Sequence, residues 1–596
     1  MTKIFNQPSE FAEDQLTGFL DLYADRLRGV PGGVIARRAG EPQVAVVIGG
    51  GSGHYPAFAG LVGEGFASGA VVGNIFTSPS ATQVYSVAKA ANQGRGVILS
   101  FGNYAGDTMN FGLAADRLRK EGIDTRIVLV TDDIASADAE DQRRGIAGDF
   151  AVFKVMGAAA GEGRSLDQVE RLGQAANSAT RTLGVAFDGC TMPGASEPLF
   201  TVPQGHLGLG LGIHGEPGIR DEPMPSAEDL SHVLVSSVLE HAPTGGSVGE
   251  SRRVAAILNG LGTTKYEELF LLWGTIAPRL REAGFQPVEA EVGELVTSLD
   301  MGGCSLTLMW LDDELERLWC ADAYTPAYRK QRSPIAAISA DADDFWEPGA
   351  EQDVAPQASP AAQRLAGLVR DALGLIATVL QDNEKLLGDI DAVAGDGDHG
   401  RGMVKGANAA VEAVELALSN GSPGTASHAA DGGSPGASWL LKKAGQAWAE
   451  RAGGTSGVLW GAAFEAFGAS LGDDSERYQP KDAVAAAQAF ATAIVELGGA
   501  TVGDKTLVDA LLPFVDELTA RVNGGEDLLT AFRHAAALAS ERAEATSELT
   551  PKLGRARPLA EKSLGTPDAG ATSMALVLSS LADAELWKGK SWMLEA

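Results

Sequence analysis

The apolar pattern of this 596-residue chain changes its repeat once, and that change constrains the fold more than any other feature. Up to about Tyr328, short Val- and Ile-rich runs alternate with segments long enough for crossover helices. Beyond Pro360, nearly every segment is rich in Ala and Leu at helical spacing. Strand-like runs and roughly 3.6-residue periods demand different packing, so the two parts need separate cores. The length alone already exceeds one ordinary core.

In the first part, Val44–Ile48, Ala70–Gly73, Gly96–Phe101 and Arg126–Thr131 read as buried strands of a parallel sheet. Ligand sites are then expected at the carboxyl ends of the strands. A second α/β lobe follows from about Gly184. Its strands are Leu207–Ile213, Val254–Leu258, Pro287–Val292 and Ser305–Trp310, with a helix at Thr264–Ala283. Residues 335–360 carry an acidic cluster and then Pro348, Pro356 and Pro360, which reads as an exposed linker. The remainder shows only helical segments: Ala361–Leu380, Gly402–Leu418, Ser438–Ala452, Val458–Ala469, Asp482–Leu497, Lys505–Val522, Asp527–Glu548 and Ala571–Leu586. Ser419–Gly436 reads as a mobile loop. The expectation is therefore a multidomain protein. A two-lobe α/β domain spans 1–334, with lobes at about 1–183 and 184–334, and an all-α domain spans 361–596.

Charge narrows the function classes. There are 47 basic against 78 acidic residues, a net charge of −31. That argues against nucleic-acid or anionic-membrane partners, which reward Lys and Arg. It leaves phosphate substrates open, because a bound metal can supply the positive charge. Cys190, Cys304 and Cys320 form no Cys-x-x-Cys, the start shows no signal pattern, and no apolar stretch reaches about 18 residues. A cytoplasmic protein is expected.

The most specific local signal is Asp391-Ala-Val-Ala-Gly-Asp396-Gly-Asp398-His399-Gly400. Three carboxylates interleave with glycines just ahead of a helix. Mg²⁺ takes oxygen ligands in a small octahedron and shares them with substrate phosphates. A calcium loop would place a Glu where Gly402 stands, and a solvated turn would not need so many glycines. Gly453-Gly454-Thr455-Ser456-Gly457 opens an apolar helix, so its amides and hydroxyls can hold phosphate, although a plain N-cap explains it as well. Gly503-Asp504-Lys505-Thr506 also starts a helix. Gly554-Arg555 and Asp568-Ala569-Gly570 lie in a loop able to close over a nucleotide. No Gly-x-x-x-x-Gly-Lys-Ser loop is present.

Three polar clusters end the parallel strands of the first part: Gly49–Pro56 with Gly53 and His54, Gly73–Ser80 with Ser78, and Gly102–Asp107. A fourth, His214-Gly-Glu-Pro-Gly218, follows a strand of the second lobe. By spacing alone His214 reads as structural more readily than chemical.

In this order the motifs resemble the dihydroxyacetone kinase family in its fused, ATP-dependent form. The resemblance covers nearly the whole chain. It implies a sugar-binding domain followed by a nucleotide-binding helical barrel. It implies that His214 forms a covalent hemiaminal with the ketone carbon and that Asp107 accepts the proton of the attacking hydroxyl. His54 then hydrogen-bonds the sugar, and Gly53 and Ser78 line its pocket. Asp391, Asp396 and Asp398 hold two Mg²⁺ ions on ATP. His399, Gly400, Gly454, Thr455, Ser456, Gly503, Arg555, Asp568 and Gly570 are implied nucleotide contacts. Homodimers with the nucleotide domain of one subunit facing the sugar domain of the other are implied as well, and a linker of about 25 residues permits that swap.

The chain departs from the family at two positions beside the sugar. Members acting on dihydroxyacetone usually carry Lys where Gly102 stands and Glu where Tyr55 stands. Losing a lysine there is expected to open volume for a larger ketose. This favours D- or L-erythrulose, with dihydroxyacetone next. The alternatives are a dihydroxyacetone kinase proper, FAD cleavage to cyclic FMN, a phosphocarrier-dependent enzyme, and a ketose-sensing regulator without catalysis.

Overall fold

The computed structural model describes residues 2–37, 41–244, 251–331, 355–420, 434–553, 557–582 and 586–588. The chain divides into two compact units, Met1–Ser339 and Ala340–Ala596. The expected linker at 335–360 and loop at 419–436 lie mostly outside the described residues.

The Val- and Ile-rich runs of the first unit pair into a six-stranded sheet. Its strands are β1 (Leu27–Val30), β2 (Gly33–Ala36), β3 (Ala45–Ser52), β4 (Gly69–Ile75), β5 (Val97–Gly102) and β6 (Thr125–Val130), in the order β1-β2-β4-β3-β5-β6. Strands β4, β3, β5 and β6 are parallel, as expected. The hairpin β1–β2 adds an antiparallel edge that the strand reading did not include. Alternate residues of β3 feed different cores. Val46 and Ile48 pack with helices Gly148–Gly161 and Leu166–Ser178, while Ala45 and Val47 pack with Ala81–Ala91 and Ala105–Lys120.

The second sheet holds β7 (Thr180–Ala186), β8 (His206–Leu209), β9 (Arg220–Pro223), β10 (Arg253–Gly260), β11 (Gln286–Pro287), β12 (Glu291–Gly293) and β13 (Gly303–Trp310). Its order is β11-β10-β13-β7-β8-β9, with β12 also on β10. Strand β7 starts at Thr180, so a lobe division at 183/184 passes through it. Two expected strands are shorter than expected. Leu207–Ile213 stops at Leu209, where Gly210 turns at φ +71°. Pro287–Val292 splits in two around Glu289, which sits at φ +42°. Helix Gly148–Gly161 is buried along almost its whole length and shares one apolar core with residues of both sheets, so the two lobes form one body.

Among the described residues, the second unit has no strand. Its helices are Pro360–Asp382, Glu384–Asp391, His399–Asn420, Ala437–Ala452, Gly454–Leu471, Pro480–Gly498, Val508–Asn523, Leu528–Ala545, Ala560–Ser563 and Ala569–Leu581. The long ones pack each against the next, and Ala569–Leu581 packs back on Pro360–Asp382, closing a ring. An apolar cavity of about 210 Å³, lined by Leu365, Trp460, Phe464, Phe490, Phe514 and Met574 among others, lies within this ring. The helix expected from Lys505 starts at Val508, because Lys505 itself adopts φ +61°. Among the described residues no helix is long and apolar enough to cross a membrane.

Candidate active site

In the first unit the polar strand ends converge on a histidine pair. Strand β3 runs out into Gly53, whose φ of +103° favours glycine, and then His54. The turn after β8 brings His214 to it, with the two Nε2 atoms 3.0 Å apart. Each ring is held from behind. His54 Nδ1 lies 2.7 Å from the Thr297 carbonyl oxygen and donates to it. His214 Nδ1 lies 3.0 Å from Glu216 Oε1, and the His214 amide donates to Glu216 Oε2 at 3.0 Å. Both Nδ1 atoms therefore carry hydrogen, since their partners are acceptors only. The Nε2–Nε2 contact then needs one further proton. Burial and the neighbouring His214 hold His54 down to about 3, so His54 Nε2 stays a bare acceptor. Loss of the shared proton bares a lone pair on His214 Nε2, a nucleophile.

Glu216 stays ionised. Burial opposes its charge, but the hydrogen bond from His214, the His214 charge and Arg144 bring it down to about 2. Asp107, in the first turn of Ala105–Lys120, behaves in the opposite way. Burial lifts it to about 6 against the pull of the Ser78 hydroxyl and His214, and its Oδ1 has no hydrogen-bond partner among the described residues. A raised, incompletely satisfied carboxylate suits a proton acceptor. Phe76 and Tyr104 complete the walls, their rings 5.1 and 5.0 Å from that of His214.

The structure thus brings Gly53, His54, Ser78, Asp107 and His214 together. Gly102 is different, and the expected extra volume is absent. A Cβ there would meet the Gly145 carbonyl oxygen at 2.9 Å and Tyr104 Cε2 at 3.1 Å. The loop at Gly145 fills the space that a side chain at 102 would take. Glu216, Arg144, Tyr104 and Thr297 were not singled out from sequence. Only Glu216 carried a signal, as an acid two residues beyond the histidine.

In the second unit, Asp391 ends a helix while Asp396 and Asp398 lie in the loop before His399–Asn420. Carboxylate oxygens of all three lie within 4.8 Å of one another. The Asp398 amide donates to Asp391 Oδ2 at 3.1 Å, which holds the loop closed. An all-oxygen donor set of this spacing, with two of the three carboxylates exposed, fits Mg²⁺ that keeps waters or phosphate oxygens as further ligands. A cavity of about 390 Å³ opens beside it, lined by His399, Gly454, Thr455, Ser456, Asp568 and Gly570 as well as the carboxylates. Gly400 and Gly503 do not line it. Gly400 packs against the Glu384 backbone. Arg555 lies outside the described residues. His399 Nε2 is 3.0 Å from Ser573 Oγ, and burial lowers its basicity. Asp568 caps Ala569–Leu581 by accepting the Ala571 amide at 2.7 Å, and burial lifts it to about 6. Lys505 also lines the cavity, its Nζ donating to the Leu549 and Ser563 carbonyls at 3.1 and 2.7 Å.

Residues 17–327 match the Dak1 domain and residues 393–583 the DAK2 domain. The chain belongs to the dihydroxyacetone kinase family. Similarity to several individual family members runs over nearly the full length. The chain is 55% identical to a D-erythrulose kinase of Mycolicibacterium smegmatis, covering 98% of each. It is 50% identical to an L-erythrulose kinase of Pectobacterium atrosepticum, over 98% of this chain and 96% of that one. Among solved structures, the dihydroxyacetone kinase from C. freundii in complex with AMP-PNP and Mg²⁺ is 30% identical. It aligns with a TM-score of 0.55, over 98% of this chain and 99% of that one.

Proposed function

We propose that this family member is an ATP- and Mg²⁺-dependent kinase for erythrulose. What carries the substrate assignment is full-length identity of 55% and 50% to two erythrulose kinases. The volume argument from Gly102 does not contribute. Dihydroxyacetone is the next best substrate.

In this reading His214 Nε2 adds to the ketone carbon as the C=O π pair moves onto the oxygen, and that oxygen takes up the proton shared between the His214 and His54 Nε2 atoms. The adduct distinguishes ketoses from polyols and orients the reacting hydroxyl. That hydroxyl oxygen attacks the terminal phosphorus of ATP, its proton passes to Asp107, and ADP leaves. Gly53, Ser78 and Gly102 are assigned to the ketose pocket by resemblance. Asp391, Asp396 and Asp398 would hold the metal, two ions by family resemblance. Bound Mg²⁺ neutralises charge on the transferring phosphate. Thr455 and Ser456, on a helix N-terminus, face the phosphates, with His399, Gly454, Asp568 and Gly570 around the nucleotide. Gly400, Gly503 and Arg555 complete the set by resemblance. The closed ring of helices supports reading the second unit as a barrel. A domain-swapped homodimer, with the nucleotide unit of one subunit serving the sugar unit of the other, follows from the same resemblance.

A substrate panel tests the assignment. kcat/KM is measured for D- and L-erythrulose, dihydroxyacetone, glyceraldehyde and glycerol with ATP and Mg²⁺. An erythrulose enantiomer is expected to lead, with glycerol inert. A clear lead for dihydroxyacetone overturns the erythrulose assignment.

A further inference from the structure

Behind His214 runs a chain of charged groups that the proposed reaction leaves without a role. Arg144 Nη1 lies 3.6 Å from Glu216 Oε2, and its Nη2 lies 3.2 Å from Asp133 Oδ2. Asp133 is buried, and the Arg144 side chain is only 17% exposed. An ion pair this sheltered is screened little by salt. The backbone of Arg144 is pinned from both sides. Its carbonyl accepts from the Asp133 amide at 3.0 Å, and its amide donates to Ser136 Oγ at 2.9 Å. Two residues on, the amides of Ile146 and Gly148 donate to Asp132 at 2.9 and 2.8 Å.

Three glycines clear the space for this chain. A Cβ on Gly212 would lie 2.1 Å from Glu216 Oε2 and 2.9 Å from Arg144 Nη1. A Cβ on Gly145 would lie 2.5 Å from Gly102 Cα, and one on Gly102 would lie 2.9 Å from the Gly145 oxygen. Strand β5 and the Arg144 loop therefore touch backbone to backbone. A side chain at 102 or 145 would force this backbone contact apart, at or next to the residue that follows Arg144.

We propose that Arg144, acting through Glu216, is a positioning residue that holds His214 with its hydrogen on Nδ1 and its Nε2 towards the ketone, and that Gly102, Gly145 and Gly212 serve the reaction by letting Arg144 and Glu216 meet. A ring nitrogen that adds to a carbonyl must be the one without the fixed hydrogen. An ionised Glu216 on Nδ1 selects that tautomer, as carboxylates do for ligating and catalytic histidines. Arg144 in turn orients the carboxylate and offsets its burial. The groups facing His214 are His54 on the ketone side, Asp107 and Tyr104 on the β5 side, and Glu216 with Arg144 and Asp133 behind. This inference rests on His214 as the ketone-binding residue.

The test uses the full-length protein carrying Glu216→Gln, Gly212→Ala, Gly102→Ala, Arg144→Lys, or Arg144→Met together with Asp133→Asn. The last pair removes both buried charges at once, so neither is stranded. All except Arg144→Lys are expected to lose on the order of 10- to 100-fold in kcat/KM for erythrulose, with KM for ATP unmoved. Arg144→Lys is expected to regain part of that loss. In protein labelled with ¹⁵N-histidine, the His214 Nδ1 signal should be that of a fixed N–H in the wild type and an average of protonated and bare nitrogen in the impaired variants. An unchanged kcat/KM overturns the proposal, as does a loss with the His214 tautomer intact. A gain for dihydroxyacetone in Gly102→Ala, with the tautomer unmoved, overturns the role given to Gly102. His214→Ala separates the two readings. If that variant keeps full ketose turnover, the covalent-histidine reading fails. If it is inactive while the other variants are normal, only the positioning role fails.

Discussion

In the first unit the groups assigned to the proposed reaction are buried or half-buried: His54 on Thr297, His214 on Glu216, and Asp107 in the first turn of helix Ala105–Lys120. In the second unit Asp396 and Asp398 are exposed, and their carboxylate oxygens lie within 4.8 Å of one another and of Asp391. The difference follows from what each site handles in the proposed reaction. A small neutral ketose brings no charge, so protonation states must be set by the protein, and burial is the means of setting them. ATP brings its own charge and a metal, so carboxylates there must present oxygens to an ion. Burial accordingly moves His54 to about 3 and Asp107 to about 6, while Glu216 is drawn down to about 2.

This contrast can be broken. The largest effect is expected for Asp107→Asn, which should lower kcat by about 10²–10⁴-fold, the range for a lost general base. A loss below about tenfold would mean that the protein-set proton acceptor contributes little. The wild-type enzyme should also lose activity as pH falls through about 6, because a protonated Asp107 cannot accept a proton. That acid limb should be absent from the residual activity of Asp107→Asn. In the second unit, Asp398→Asn should raise the Mg²⁺ concentration for half-maximal rate by about tenfold or more while leaving ketose binding unchanged. A shift in ketose affinity would contradict the division of labour.

Smaller effects sharpen the comparison. Lys505→Met removes the donor to the Leu549 and Ser563 carbonyls and should cost ~1–3 kcal/mol of stability. KM for ATP should rise and KM for erythrulose should not. Ser80→Ala breaks the capping box of helix Ala81–Ala91 behind the sugar site, at a cost of ~1 kcal/mol. A lower melting temperature with unchanged kcat is expected. A fall in kcat as well would show that the first site depends on more than its local hydrogen bonds.

Much of the fold was legible because it rests on local pattern. The four parallel strands emerged from Val- and Ile-rich runs, and the long helices of the second unit from their Ala/Leu spacing. The hairpin β1–β2 had its signal too: Pro31-Gly32, with Gly32 at φ +92°, is a turn of the type that joins two strands. So did helix Leu166–Ser178, whose Ser165 and Gln168 form a capping box. Helix Gly148–Gly161 was harder, because burial on all sides leaves no polar face and no periodicity to detect.

The site residues divide along the same line. Asp391, Asp396 and Asp398 are close in sequence, and a single loop dictates their proximity. His54 and His214 are 160 residues apart, and nothing local says that their nitrogens meet at 3.0 Å. Arg144 was invisible for the same reason, since its partner Glu216 comes from a distant loop of the second sheet. By itself, then, the sequence determined the two kinds of core, the metal-type loop and the family. Tertiary structure alone decided which nitrogen carries the proton, why Glu216 stays charged, and that Gly102 is filled from behind rather than empty. Those outcomes depend on burial and on backbone approach between distant segments, which exist only once the sheets have packed.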